Sequence, residues 1–86
     1  MPTYKITFAR SARKELQTVP VDMAERILTK IESLTENARP PGCKKLSGVM
    51  RFWRIRVGQY RVVYKIDDDN RLIDVAIIRH RRDVYR

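Results

Sequence analysis

The stretch RFWRIRVGQYRVVYK, from Arg51 to Lys65, predicts two β-strands joined by a tight turn at Gly58–Gln59. A glycine in the first of two turn positions, between strands of alternating character, is typical of a β-hairpin. Because successive side chains of a strand point to opposite faces, one face of the first strand should carry Trp53, Ile55 and Val57. The other face should carry Phe52, Arg54 and Arg56. On the second strand, Arg61, Val63 and Lys65 alternate with Tyr60, Val62 and Tyr64.

The hairpin is therefore predicted to expose cations on a face that is backed by an apolar core. No Asp or Glu occurs between Gly42 and Ile66, so these cations have no counter-charge nearby in the sequence. The chain of 86 residues carries a formal charge of +9, from 19 Lys and Arg against 10 Asp and Glu. A charge this one-sided favours a nucleic acid, an anionic membrane or an acidic protein as partner.

Composition disfavours several classes of protein. No apolar run approaches the roughly 18 residues that a membrane-spanning helix needs, and no signal-like region precedes the first strand pattern; we expect a cytoplasmic protein without a membrane partner. Cys43 is the single cysteine, which leaves no internal disulfide and no cysteine-based metal site. Three consecutive acids mostly point apart, so Asp67–Asp69 is interpreted as a solubilising turn. We expect no metal and no cofactor.

The other segments predict an α+β domain of the order β-α-α-β-β-β, with residues 1–86 as one domain. A first strand lies around Tyr4–Phe8, and a short amphipathic helix runs from Arg10 to about Thr18. A second helix follows Pro20, with a capping box formed by Asp22 and Glu25. Its apolar stripe consists of Ala24, Ile27, Leu28, Ile31 and Leu34.

The last strand is predicted over Leu72–Ile78, where the apolar run is nearly continuous. Such a run is typical of a strand that is covered on both faces and lies centrally in its sheet. The expected architecture is two N-terminal helices packed on a small, mostly antiparallel sheet.

The arginines of the hairpin are the first candidate site. Arg54, Arg56 and Arg61 present planar forks of donors that suit phosphate oxygens and keep their charge at any working pH. If the bound phosphate reacts, the same groups would stabilise charge that develops in the transition state. The alternative is a solvated sheet face, although such a face usually mixes charges of both signs.

The second candidate lies in the C-terminal segment, which contains His80, Arg81 and Tyr85. Histidine exchanges protons near neutral pH, and tyrosine stacks on unpaired bases. The alternative is a frayed basic tail. Lys44 and Lys45 could contact phosphate or simply keep their loop in water. The full set of candidate RNA-binding cations is Lys44, Lys45, Arg51, Lys65 and Arg82.

Three motifs taken together resemble the RelE branch of the RelE/ParE toxin superfamily. They are Lys45–Leu46–Ser47–Gly48, the hairpin Trp53–Tyr64, and His80–Arg81–Arg82–Asp83–Val84–Tyr85. The resemblance spans the chain and implies the toxin of a type II toxin–antitoxin system. Toxins similar to RelE cut mRNA in the ribosomal A site without metal, by attack of the RNA's own 2′-hydroxyl. The implied partners are a RelB-like antitoxin and a 70S-type ribosome with its mRNA; operator DNA would be bound only through the antitoxin complex.

The resemblance also implies roles for individual residues. Arg54 and Arg56 stand where the best-known RelE has two lysines, and Arg61 matches its phosphate-stabilising arginine. Arg81 matches a second catalytic arginine, and Tyr85 matches a tyrosine that stacks on the substrate. Because arginine effectively cannot give up its proton, His80 becomes the titratable candidate for proton transfer.

Two other functions are consistent with the same residues. A ParE-like inhibitor of DNA gyrase would need no RNase residues, although such chains generally lack the C-terminal arginine and tyrosine found here as Arg81 and Tyr85. A catalytically inactive basic homologue would act only in its antitoxin complex.

Overall fold

The computed structural model describes residues 3–46 and 52–84, which form one mixed sheet with helices packed against it. The elements are β1 (Lys5–Phe8), α1 (Arg10–Leu16), α2 (Val21–Ser33), β2 (Lys44–Lys45), β3 (Phe52–Val57), β4 (Tyr60–Asp67), β5 (Leu72–His80) and α3 (Arg81–Val84). The predicted α+β class and the order of the main elements are confirmed. The sequence pattern did not predict β2 and α3, because two and four residues are too short to show a periodicity.

The strands are arranged in the order β1-β5-β4-β3-β2. β1 pairs in parallel with β5, and the other pairs are antiparallel. The long strand β5 therefore lies inside the sheet, as its apolar run predicts. The prediction that β5 is covered on both faces is wrong, since Ile77 is 39% exposed.

The helices cover one face of the sheet. Ala12 of α1 belongs to the same buried cluster as Ile27 and Ile31 of α2. The predicted apolar stripe of α2 is confirmed at Ala24, Ile27, Ile31 and Leu34, while Leu28 is only half-buried. The sheet contributes the cross-strand row Ile55, Val62 and Ile78, with all three side chains buried. Truncating a buried isoleucine such as Ile31 to alanine typically costs about 2–5 kcal/mol, so this cluster holds the helices on the sheet.

The predicted capping box at the start of α2 is wrong. The helix begins at Val21 with Pro20 as its N-cap, and no side chain caps it. Asp22 already lies inside the first turn, so its carboxylate is not in the N-cap position that a capping box requires. The negative charge of Asp22 still favours this end of the helix through the helix dipole.

The end of the sheet far from the Gly58 turn is tied together by Asp68. Its carboxylate accepts hydrogen bonds from the Tyr4 hydroxyl at 2.6 Å and from the Arg39 guanidinium at 2.9 and 3.3 Å. Arg39 also lies over the ring of Trp53, 5.0 Å from its centre. Asp68 thus has a structural role beyond the solubilising turn that the sequence indicates.

The described residues contain neither a candidate membrane-spanning helix nor a candidate metal cluster. None of their helices combines the length and the apolar character needed to cross a membrane. In residues 3–46 and 52–84, no three His, Cys, Asp or Glu side chains are grouped so that they could hold a metal ion.

Candidate nucleic-acid interface

The turn at Gly58–Gln59 sets the geometry of the candidate site. Gly58 has φ +58°, while Gln59 does not have a positive φ. A positive φ at the first central residue alone is the pattern of a type II′ turn, whose twist matches that of the strands it joins. The turn places Val57 opposite Tyr60 and Arg56 opposite Arg61, which confirms the predicted hairpin.

Three arginines lie side by side across three strands. Arg56 of β3 is opposite Arg61 of β4, and Arg61 is in turn opposite Arg79 of β5. Directly opposite residues share a face of the sheet, so these three, which we call the arginine row, project from the face away from the helices. Arg56 and Arg79 are exposed, and Arg61 is half-buried.

Arg54 is placed differently from the prediction. It lies on the same face as the arginine row, but only 8% of it is exposed. It borders a depression that also includes Pro40, Pro41 and Lys44. The expectation of an open, solvent-facing Arg54 is therefore wrong, because the loop before β2 and β2 itself approach this part of β3.

Arg81 is brought to the turn by two contacts with Gln59. The backbone N–H of Arg81 donates to the Gln59 carbonyl oxygen at 2.7 Å. The Arg81 guanidinium donates to the Gln59 side-chain oxygen at 3.4 Å. A pocket of about 160 Å³ results, lined by Arg56, Gly58, Gln59, Tyr60, Arg61 and Arg81. Three guanidinium-bearing residues that lie apart in the sequence thus surround one anion-sized space.

His80 is not part of this pocket. It is opposite Tyr60, one row beyond the arginine row, and this register gives it the opposite face of the sheet. Its ring meets the Tyr60 ring edge to face, with centres 5.2 Å apart. Its Nδ1 accepts the backbone N–H of Arg82 at 3.3 Å. The structure therefore does not bring His80 together with the arginines, despite its place next to Arg81 in the sequence.

The remaining candidates divide between the two faces. Lys44 is opposite Arg54, and Lys65 is opposite Phe52, so both exposed lysines share the face of the arginine row. Lys45 is opposite Trp53 on the other face, beside Asp68. Arg82 is exposed at the start of α3. Two further candidates, Arg51 and Tyr85, lie outside the described residues.

Arg79 is a candidate that the sequence pattern did not indicate. Its place in the arginine row depends on a β-bulge, a register shift between Val63 and Tyr64. No turn residue or periodicity marks that bulge in the sequence. The residue opposite Arg61 on β5 could therefore not be predicted from the sequence.

The fold is matched in known proteins. The family model described as "ParE toxin of type II toxin-antitoxin system, parDE" matches residues 6–85. The chain belongs to the RelE/ParE toxin superfamily. The resemblance predicted from the three sequence motifs is thereby confirmed, and the protein is a type II toxin.

Individual relatives of this toxin are named RelE or RelG. Toxin RelE3 of Methanocaldococcus jannaschii is 33% identical over 85 residues, which are 94% of each chain. Toxin RelG of Mycobacterium tuberculosis is 30% identical over 91 residues, covering 96% of this chain and 97% of its own. A chain in the archaeal RelE–RelB complex from Pyrococcus horikoshii has a TM-score of 0.83 at 26% identity, over 92% of this toxin and 96% of that chain.

Proposed function

We propose that this toxin is a ribosome-dependent endoribonuclease that cleaves mRNA in the A site and thereby inhibits translation. The observation that carries the proposal is the pocket at which Arg56, Arg61 and Arg81 meet. Its relatives named RelE support it, as do a net charge of +9 and the absence of acids between Gly42 and Ile66.

The chemistry assigned to this pocket needs no nucleophile from the protein. The 2′-hydroxyl oxygen of the RNA forms a bond to the adjacent phosphorus and loses its proton, while the bond to the 5′-oxygen breaks. The leaving 5′-oxygen takes up a proton, and a 2′,3′-cyclic phosphate remains. Guanidinium groups held in fixed positions stabilise the negative charge on the phosphoryl oxygens in the transition state.

The residues would divide this work as follows. Arg56 and Arg61 would hold the scissile phosphate between adjacent strands, and Arg81 would stabilise the leaving 5′-oxygen. Tyr85 would stack on a base. His80 remains the residue proposed for proton transfer on sequence grounds, but its contacts with Tyr60 and Arg82 fit a role in holding the start of α3.

An antitoxin similar to RelB is the proposed protein partner, because a chain of similar fold occurs in a RelE–RelB complex. Operator DNA would be reached only through that complex. The mRNA on a 70S-type ribosome is the proposed substrate, and the cytoplasm is the proposed location. Affinity for ribosomal and messenger RNA should fall steeply with salt, since phosphate contacts release counterions.

Primer extension on an mRNA under translation in a purified system tests the proposal. The toxin should produce cuts at A-site codons that vanish when ribosomes are omitted. Arg61→Ala and Arg81→Ala should each slow cleavage by about a hundred- to a thousand-fold, as the loss of one charge-stabilising donor does elsewhere. Arg13→Ala removes the same charge from the exposed surface of α1 and should cleave normally.

A parallel DNA gyrase supercoiling assay addresses the second function. Intact mRNA together with inhibited supercoiling would assign the chain to the ParE type of activity. If the chain has no effect in either assay, the result would favour the third alternative, a catalytically inactive basic homologue that acts only in its antitoxin complex.

A further inference from the structure

We propose that Arg79 binds a second phosphate of the mRNA, next to the scissile phosphate held by Arg56 and Arg61. The inference rests on the proposed function and deepens it, because it sets the direction in which the RNA strand crosses the sheet. Arg79 would be a positioning residue: it would raise affinity for the substrate without touching the reacting atoms.

The first observation is the β-bulge that places Arg79 in the row. Below the bulge, Tyr64 is opposite Val75 and Ile66 is opposite Ile73. If that register continued, Arg61 would be opposite Ile78. The shift between Val63 and Tyr64 instead places Arg61 opposite Arg79 and turns Ile78 into the core, where it is 1% exposed. Bulges beside functional sites commonly redirect a side chain in this way.

The second observation is the spacing within the row. The Phe52 carbonyl accepts a bond from the Leu46 N–H, so the polar backbone groups of Phe52, Arg54 and Arg56 point toward the β2 side. Arg56 and Arg61 are therefore a non-hydrogen-bonded pair, the kind in which side chains lie closest. Arg79 is one strand further on, and adjacent strands are about 4.8 Å apart.

This spacing suits two phosphates rather than one. The outer members of the row are separated by two strand spacings, on the order of 10 Å, which is wider than a single phosphate group. Like charges directly opposite each other on a sheet destabilise it. An extended polyanion that contacts the arginines of the row in turn would offset this repulsion.

The third observation favours RNA over an acidic peptide. The next cross-strand row holds Arg54, Val63 and Ile77, and Ile77 is 39% exposed on this face. A strip of cations beside an exposed apolar side chain matches a single strand of RNA, whose charged backbone runs beside apolar base faces. A carboxylate alone would make no contact with the exposed Ile77, and a peptide would have to supply a separate apolar side chain for it, whereas each nucleotide carries both a charge and an apolar base face.

The test is single-turnover cleavage on ribosomes programmed with an mRNA whose phosphates are changed one at a time. Arg79→Ala should raise the toxin concentration for half-maximal rate about five- to tenfold, with the maximal rate within about twofold of wild type. Its affinity for uncleavable, 2′-O-methylated mRNA on the ribosome should lose about 0.7 in the slope of log affinity against log salt, the value for one phosphate contact on a single strand.

A neutral methylphosphonate at a linkage adjacent to the scissile one isolates the contact. At the linkage that Arg79 contacts, the methylphosphonate should lower the affinity of wild-type toxin for the mRNA as much as Arg79→Ala does. It should not lower the affinity of the Arg79→Ala variant any further. Arg79→Lys should recover part of the affinity. Arg13→Ala, with the same loss of charge on α1, should respond to the methylphosphonate as wild type does.

The outcomes separate this inference from the proposed function. Absence of cleavage by wild type would overturn both. Normal cleavage by Arg79→Ala, with an unchanged half-maximal concentration and full sensitivity to methylphosphonate at both sides, would overturn the second phosphate site alone. If Arg79→Ala binds mRNA normally but loses affinity for the antitoxin, Arg79 contacts a protein partner instead of RNA. That outcome also contradicts the inference.

Discussion

Gln59 holds Arg81 at two points, one through its backbone and one through its side chain. The Gln59 carbonyl oxygen accepts the Arg81 N–H at 2.7 Å, and the Gln59 side-chain oxygen lies 3.4 Å from Arg81 Nη1. The tip of the β3–β4 hairpin is thereby joined to the first residue of α3. A turn residue without chemistry of its own sets where a guanidinium of the pocket points.

Replacing Gln59 with alanine should slow mRNA cleavage. The backbone contact survives in Gln59→Ala, and only the longer side-chain contact is lost, so the effect should be about 1 kcal/mol, or about fivefold in rate. Single-turnover rates measure it. The fall should appear in the maximal rate rather than in the concentration for half-maximal rate.

A double-mutant cycle supplies the control. In an Arg81→Ala background, Gln59→Ala should have no further effect, because the group that it positions is gone. Gln17→Ala, at the exposed end of α1, should leave the rate unchanged. Equal losses from Gln59→Ala with and without Arg81 would show that Gln59 acts by another route.

Gly58→Ala should lower the free energy of unfolding. A left-handed φ of +58° costs an L-residue about 1–2 kcal/mol, and the added Cβ would lie 2.7 Å from Met23 Cε. Urea denaturation measures the change. In a Met23→Ala background the close contact disappears, so a smaller penalty there would isolate the backbone cost, and no penalty at all would contradict the assigned turn.

Tyr64→Phe should destabilise the protein and alter its response to alkali. The Tyr64 hydroxyl is buried and donates to the Ala38 carbonyl oxygen at 2.8 Å. Removing it leaves that carbonyl unsatisfied, at a cost of about 1–3 kcal/mol. Tyr60→Phe, which removes a hydroxyl from a half-buried ring, should cost less.

The alkaline response follows from the pKa of the same hydroxyl. Burial raises the pKa of Tyr64 well above its ordinary value, so the native state keeps the proton that the unfolded state loses near pH 10. The contribution of Tyr64 is therefore complete below about pH 10 and declines above it. Wild type should lose more stability than Tyr64→Phe between neutral and strongly alkaline pH; parallel losses would contradict this.

Asp68→Asn should weaken the far end of the sheet in a pH-dependent way. Hydrogen bonds from Arg39 and then from Tyr4 lower the pKa of the Asp68 carboxyl to about 2. Its contribution is complete above the unfolded pKa of about 4 and is lost as pH falls through about 2. Because the Asp68 side chain is 53% exposed, solvent screening limits the effect to at most about 1 kcal/mol.

Thermal denaturation across pH measures this difference. Wild type and Asp68→Asn should differ at pH 7 and converge toward pH 2, and 1 M salt should narrow the gap by screening. Asp69→Asn removes a neighbouring exposed charge and serves as the matched control. A gap between wild type and Asp68→Asn that persists unchanged at pH 2 would contradict the assignment.

The parts of the fold that follow from local pattern could be predicted from the sequence. The hairpin follows from Gly58 and alternating residues, and α2 follows from its stripe ending at Leu34. What could not be predicted depends on contacts between distant segments. The burial of Arg54, the tie through Asp68 and the placement of Arg79 are set by packing and by a one-residue register shift, and neither leaves a periodic signal.

The sequence predicted which residues belong to the candidate site better than it predicted where their side chains lie relative to one another. Arg61 and Arg81 do meet at one pocket. The direction of the side chains excludes His80 from the same face. Adjacent residues of a strand point to opposite faces of the sheet, so His80 points away from the face that Arg79 shares with Arg61. Proximity in the sequence is a poor guide where a strand passes through the site.

The parallel pairing of β1 with β5 has a consequence for the timing of folding during synthesis. Lys5 is opposite Leu72, so the earliest strand to be translated has its partner only in the latest. Long-range pairing of this kind slows folding. While the C-terminal segment is still inside the exit tunnel, a nascent chain has neither the completed sheet nor Arg79 and Arg81 in place. The sheet face that carries Arg79 therefore forms only after β5 has left the tunnel and paired with β1 and β4.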